Sequence, residues 1–266
     1  MSIRRIVIAA LVVVAGLGLF LLPRYLRAET PAGATAQAAS PSDRAGIESV
    51  VRDYLLSNPE ILREMMARLQ QKDQVAANEQ RGSVFEEYRD TIYNSPKQVV
   101  LGNPEGDVTL VEFFDYNCGY CRKALADAEQ LLKEDGKLRI VLKEFPVLGE
   151  ESRDAARVAV AVHAQAPDKY LDFHRALMTA EGGATGAGAL EVAKSLGLDM
   201  DRISADLTGP EVDEPMLEAH QLAGKLGIDG TPTYVIADTV VAGAVGAETL
   251  KGIISNVRTC GKASCS

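Results

Sequence analysis

Tryptophan does not occur among the 266 residues, an absence with no functional reading. Cysteine is scarce, and its placement says more. Four are present: Cys118 and Cys121 close together, and Cys260 and Cys265 far along the chain. A zinc site on the first pair would need two further ligands, usually another close Cys or His pair. The three histidines, His163, His174 and His220, are scattered singly. No metal is therefore expected, and no cofactor. A purely structural disulfide is also a poor reading of Cys118 and Cys121, because closing a two-residue loop removes little chain entropy. Basic charge is short as well: 28 Lys and Arg stand against 37 Asp and Glu. Four of the basic residues, Arg4, Arg5, Arg24 and Arg27, lie before residue 29, where there are no acids, leaving 28 − 4 = 24 against 37, a net of −13. Such a surface excludes nucleic acid and anionic membrane as the natural ligand. No internal repeat is visible.

What is present centres on residues 108–124. Val108 to Phe114 is a largely apolar run and reads as a buried strand. It ends at a turn carrying Cys118-Gly119-Tyr120-Cys121, and from Arg122 to Lys133 charge alternates with Ala and Leu at helical spacing. Cys118 should therefore stand at the mouth of a strand–turn–helix unit, at the helix N-terminus. Unpaired backbone N–H groups and the helix dipole favour a thiolate there. Cys118 is the expected attacking sulfur, exposed at the turn. Cys121, one turn on, is the expected resolving thiol.

The run Phe113-Phe114-Asp115-Tyr116-Asn117-Cys118-Gly119-Tyr120-Cys121 after a strand resembles the thioredoxin-fold thiol–disulfide oxidoreductases, the DsbA-like branch in particular. A second motif, Gly227 to Ile236 with Thr231-Pro232 at its centre, strengthens the resemblance, which covers about residues 97–258. With the helical N-terminal extension, the chain is most similar to the ScsC-type proteins. The resemblance implies an α/β thioredoxin fold with a helical insertion at about 151–227. It implies a cis Thr231–Pro232 bond facing the sulfurs, with the Thr231 backbone open to an extended substrate strand. It also implies a buried acid at Glu112, six residues before Cys118, able to take the Cys121 proton near neutral pH. Lys143 on the neighbouring strand would pair with that acid. The rival for both is an outward-facing strand pair. Asp115, Tyr116 and Asn117 should ring the site, and Tyr120 offers an apolar contact to unfolded substrates. Gly119-Tyr120 and Thr231 are similar to the disulfide isomerases, whereas the long spacing between the motifs is DsbA-like, so the direction of the redox chemistry stays open.

The rest of the chain falls into clear segments. Residues 1–28 pair a basic start with an apolar run from Ile6 to Leu22, as a secretory signal peptide does; an uncleaved N-terminal anchor is the rival. Either way the folded part is expected in an oxidising compartment, a bacterial periplasm. Residues 29–42, rich in Ala, Pro, Thr, Ser and Gly, read as a flexible linker. Residues 43–95 read as a helical extension with three apolar stripes: Ile47 to Leu55, Ile61 to Leu69, and Val84 to Tyr93. Asn58 and Pro59 suit a helix start. These stripes must bury against the catalytic domain or against another copy of the chain, making 43–95 a candidate oligomerisation region. The thioredoxin-like domain spans 96–258, with strands at Gln98–Leu101, Leu138–Pro146, Thr233–Ile236 and Val240–Ala244 and a last helix from Ala247 to Val257. In the tail, 259–266, Cys260 and Cys265 read as a disulfide, with a second redox relay feeding Cys118 as the alternative. The histidines read as ordinary helix residues.

The function expected is exported thiol–disulfide exchange on cysteine-containing protein substrates, with a DsbD-like or DsbB-like membrane redox partner. The alternative from another class is a redox-inactive thioredoxin-fold binding module, a chaperone or a Cu(I) binder using both thiols.

Overall fold

The apolar run before the cysteines forms strand β2, Val108–Phe114, the centre of a five-stranded sheet. This computed structural model describes residues 41–265, without the side chains of residues 41–42 and 73–81. The signal peptide or anchor and nearly all of the linker lie outside the described residues.

The chain divides into two units at Leu69–Gln70. In the first, α1 (Pro41–Ser57) is followed by the beginning of α2 (Pro59–Glu87). Helix α1 thus starts two residues inside the stretch read as linker. Asn58 donates its side-chain amide to the Tyr54 carbonyl (2.7 Å), closing the end of α1. Along this unit Ile47, Val50, Tyr54, Met65, Met66 and Leu69 are each more than half exposed. Ile47, Val51, Leu55, Leu56 and Leu62 line a shallow apolar groove.

In the second unit the order of strands is β1 (Val99–Gly102), β3 (Leu138–Glu144), β2, β4 (Thr233–Ile236), β5 (Thr239–Ala242). Strands β2 and β3 are parallel; the other neighbours are antiparallel. Successive residues of a strand point to opposite faces, and β2 separates the two cores accordingly. Val108, Leu110 and Phe114 enter one apolar cluster; Val111 and Phe113 enter the other.

The first face is covered by α4 (Gly119–Glu134), the insertion helices α5 (Glu150–Gln165), α6 (Tyr170–Met178), α7 (Gly186–Ser195) and α8 (Met200–Asp206), and the last helix α10 (Ala247–Cys260). The second face is covered by α9 (Glu214–Leu226) together with Phe85 of α2 and Ile92 of α3 (Arg89–Tyr93). The third apolar stripe therefore belongs to the core of the second unit. The structure draws the boundary at residue 69, whereas the sequence reading placed it at 95. Phe85 and Ile92, at 4% and 0% exposure, are core residues.

Candidate active site

The turn after β2 is held by Asp115. Its carboxylate accepts from the Asn117 amide (2.7 Å), the Val147 and Leu148 amides (2.8 and 2.9 Å) and the Ser152 hydroxyl (2.8 Å). A buried carboxylate with four donors locks the loop after β3 and the start of α5 against the cysteine turn. Asn117 adds a second tie: its amide donates to Ser152 Oγ and the Ala184 carbonyl, and its oxygen accepts from the Ala184 amide. Gly183 has φ +98°, and a Cβ there would come within 2.8 Å of Asn117 Oδ1, so glycine suits this close approach. Tyr116 does not ring the site as expected. It turns into the core, where its hydroxyl donates to Glu144.

Cys118 occupies the N-cap of α4 with extended backbone, and Cys121 follows in the first helical turn. Both are unpaired thiols, and Cys118 is only 7% exposed, not the exposed sulfur expected, because it packs against Thr231. The Cys118 thiol donates to the Thr231 carbonyl at 3.1 Å, and the Thr231–Pro232 bond is cis. Cys121 is 1% exposed. Burial, with the Glu112 carboxylate and the Cys118 sulfur nearby, raises its pKa well above the ordinary thiol value. Tyr120 projects to solvent with the Lys123 ammonium over its ring, while Val147 and Leu148 are exposed on the loop tied to Asp115. Sequence reasoning missed the Asp115 anchor and this loop; an Asp two residues before a turn amide was the available signal.

Glu112 lies on the first face of the sheet, below the cysteines. Burial, and secondly the Asp127 carboxylate, push its pKa up to about 8. Glu112, Cys121 and His174 line a small cavity of about 10 Å³ whose other walls are mainly leucine. That is the room of one water at most. His174, read as an ordinary helix residue, lies on α6 as expected and is buried there, lining the same cavity as Cys121. Its Nδ1 lies 3.2 Å from the Tyr116 hydroxyl, and burial lowers its pKa to about 3. Glu144 accepts from Tyr116 and Tyr170, and burial raises it to about 8.

The expected Glu112–Lys143 pair is not formed. In the β2–β3 register Glu112 lies opposite Leu142, and Lys143 opposite Phe113. Lys143 therefore points to the other face. There its ammonium donates to the Thr91 carbonyl (2.8 Å) and pairs with Glu218 (3.5 Å). Burial lowers its pKa to about 8, against the pull of Glu218.

Cys260 and Cys265 form a disulfide at the end of α10. Arg258, two residues earlier, pairs with Asp107 and Asp135, which stand just before β2 and β3. The disulfide is thus at the end of the sheet where β2 begins, and Cys118 follows the end where β2 finishes. Seven strand residues at ~3.3 Å each separate them. A relay between the two pairs has no path in this arrangement. Among the described residues, no group of three or more His, Cys, Asp or Glu could hold a metal ion.

Residues 109–255 match the family described as DSBA-like thioredoxin domain. The chain belongs to the DsbA-like thioredoxin family. Residues 43–76 match the copper resistance protein ScsC N-terminal domain. A solved thioredoxin-like oxidoreductase from Silicibacter pomeroyi is 45% identical, covers 65% of this chain and 98% of its own, and superposes with a TM-score of 0.62. A linker-deletion mutant of Proteus mirabilis ScsC is 27% identical over 85% of this chain and 99% of its own, TM-score 0.63. Disulfide bond formation protein D of Bacillus subtilis is 27% identical over 169 residues, 59% of this chain and 76% of that protein. The chain spans about a quarter of the length of the sodium/proton antiporters it also matches. The family is one of thiol–disulfide oxidoreductases. No helix among the described residues is long and apolar enough to cross a membrane.

Proposed function

We propose that the chain is an exported thiol–disulfide oxidoreductase acting on disulfides of other exported proteins through Cys118 and Cys121. One observation carries this reading. The Cys118 sulfur stands at the start of α4 against the Thr231 carbonyl, in front of a buried Cys121 that shares a cavity with the buried acid Glu112.

The Cys118 thiolate attacks one sulfur of a substrate disulfide. A Cys118–substrate disulfide forms, and the other substrate sulfur leaves as a thiolate. Cys121 then gives its proton to the Glu112 carboxylate and attacks the Cys118 sulfur. The substrate's remaining thiolate leaves, and the Cys118–Cys121 disulfide is formed. A carboxyl titrating at about 8 is matched to this transfer near neutral pH. Return to the dithiol consumes two electrons from a partner dithiol, the role of a DsbD-like membrane protein. A DsbB-like partner would run the cycle in reverse. The Thr231 backbone at the mouth and the exposed Tyr120, Val147 and Leu148 suit an extended, partly apolar segment.

Gly119-Tyr120 and Thr231 favour reduction or isomerisation over oxidation. The exposed stripes of α1 and early α2 support a second copy of the chain as their cover, in the region matching the ScsC N-terminal domain. The apolar run of Ile6 to Leu22 supports export to the periplasm.

The test is the reduction potential of Cys118–Cys121 against glutathione, with insulin reduction and the refolding of a scrambled disulfide protein. A potential between roughly −270 and −120 mV, with both activities, is expected. A protein that binds Cu(I) through both thiols and reduces no insulin would instead be the binding module.

A further inference from the structure

One buried group beside the redox pair is unused by the mechanism above. Strand β4 runs antiparallel to β2 with Tyr234 directly opposite Glu112. Opposed residues of such a pair share a face, with Cβ atoms about 4.5–5.5 Å apart. Tyr234 is 1% exposed and packs in the cluster that holds Cys121 and Ala128. Its hydroxyl is buried and has no hydrogen-bond partner. Buried hydroxyls are rarely left so, because the lost hydration is not repaid. Its neighbours among ionisable groups are Glu112, Asp127 and Cys121.

We propose that Tyr234 is a positioning residue for Glu112: its hydroxyl donates to the Glu112 carboxylate, directly or through one water, once that carboxylate has lost its proton. An ionised carboxylate only accepts hydrogen bonds. In an apolar pocket it needs a donor, or it does not ionise at all. The groups facing Glu112 supply few. From α4 come the Cys121 thiol, which is the proton giver, and the carboxylates Asp127 and Glu129. From α6 come His174, whose Nδ1 is engaged with Tyr116, and Tyr170, whose hydroxyl donates to Glu144. Glu144 itself lies on the same face of β3, and Lys143 faces away. Among these described residues Tyr234 has the uncommitted donor. When Glu112 is protonated the tyrosine is spare; when Glu112 is charged the tyrosine stabilises it. The pair thereby sets the pH at which Glu112 can accept the Cys121 proton. Half-buried Asp127, a like charge, pulls in the opposite direction.

The inference rests on Glu112 being the base for Cys121, and the experiment separates the two. In the reduced full chain, the infrared carbonyl band of protonated Glu112, identified by its loss in Glu112→Gln, is titrated against pH. Tyr234→Phe, which keeps the ring and its packing, should move the midpoint up by about one pH unit, since a donor to the charged form is lost. Asp127→Asn should move it down. Resolution of the mixed disulfide by Tyr234→Phe should slow about tenfold at pH 7, because the ionised fraction of Glu112 falls by that factor. An unchanged or lowered midpoint in Tyr234→Phe overturns the proposal, as does a shift of the same sign in both variants. A midpoint that rises with unchanged resolution upholds the tyrosine's role and instead removes Glu112 as the base.

Discussion

At the scale of single residues, Glu112 links stability to chemistry. Its carboxyl titrates at about 8 in the fold against an ordinary value of 4.5, chiefly because it is buried. Between those values the native chain binds more protons than the unfolded chain. The contribution of this group to stability is therefore full below pH 4.5 and is lost as pH rises towards 8. Glu112→Gln removes the penalty. Denaturant unfolding should show it more stable than the parent by roughly 5 kcal/mol at pH 9, at about 1.4 kcal/mol per pKa unit, and nearly equal at pH 4. In exchange, resolution by Cys121 should lose its rise with pH. A variant with the parent's pH–stability curve would mean that Glu112 is not held protonated. The acid's place six residues before Cys118 was legible in the sequence, because strand and turn are contiguous. His174, Glu144 and Tyr234 were not. Each reaches the site from an element distant in the chain, and only register and packing bring them there.

At the scale of elements, one residue of register decides which groups work together. Lys143 and Glu112 sit on adjacent parallel strands, and the sequence could place both there. It could not say that Glu112 opposes Leu142 and not Lys143. Side chains alternate with a period of two, so this single step sends the lysine to the opposite face. There Lys143, Glu218, Ser95 and Gln98 form a hydrogen-bonded group between β3, α9 and the segment after α3. Removing Glu218 leaves the fully buried Lys143 ammonium uncompensated, whereas replacing Lys143 by an apolar residue of similar volume leaves a part-exposed Glu218 that still accepts from Ser95 and Gln98. Glu218→Ala should lower stability by about 3 kcal/mol, and Lys143→Met should change it little. Neither should move the potential of the cysteine pair by more than about 10 mV, against 30 mV for a tenfold change in equilibrium. A larger shift in Lys143→Met would return the lysine to the proton path. The strand–turn–helix around the cysteines and the paired strands after Pro232 were readable, because apolar runs, glycine and proline are local signals. Beyond its local tie to Asn117 the Asp115 anchor was not, since Val147, Leu148 and Ser152 lie more than thirty residues on.

At the scale of the whole molecule, the N-terminal helices divide their apolar faces between two uses. Phe85 and Ile92 complete the second core of the catalytic unit, while the stripes from Ile47 to Leu69 stay exposed. The sequence showed all three stripes but not which one the domain consumes. Light scattering of residues 29–266 should give an oligomer, and residues 70–266 a folded monomer. The shorter chain should keep insulin reduction and lose isomerisation, since joined sites act at an effective concentration near ~1 mM. Starting at Ser95 would strip two core residues and destabilise the domain. A monomeric mass for each of the two longer chains would end the oligomer reading. All of this presupposes that Cys118 attacks and Cys121 resolves. Mass spectrometry of covalent adducts with a disulfide-bonded protein substrate measures that division of labour. Cys121→Ala should accumulate a mixed disulfide through Cys118, and Cys118→Ala should form none. An adduct through Cys121, or no adduct in either variant, would contradict it.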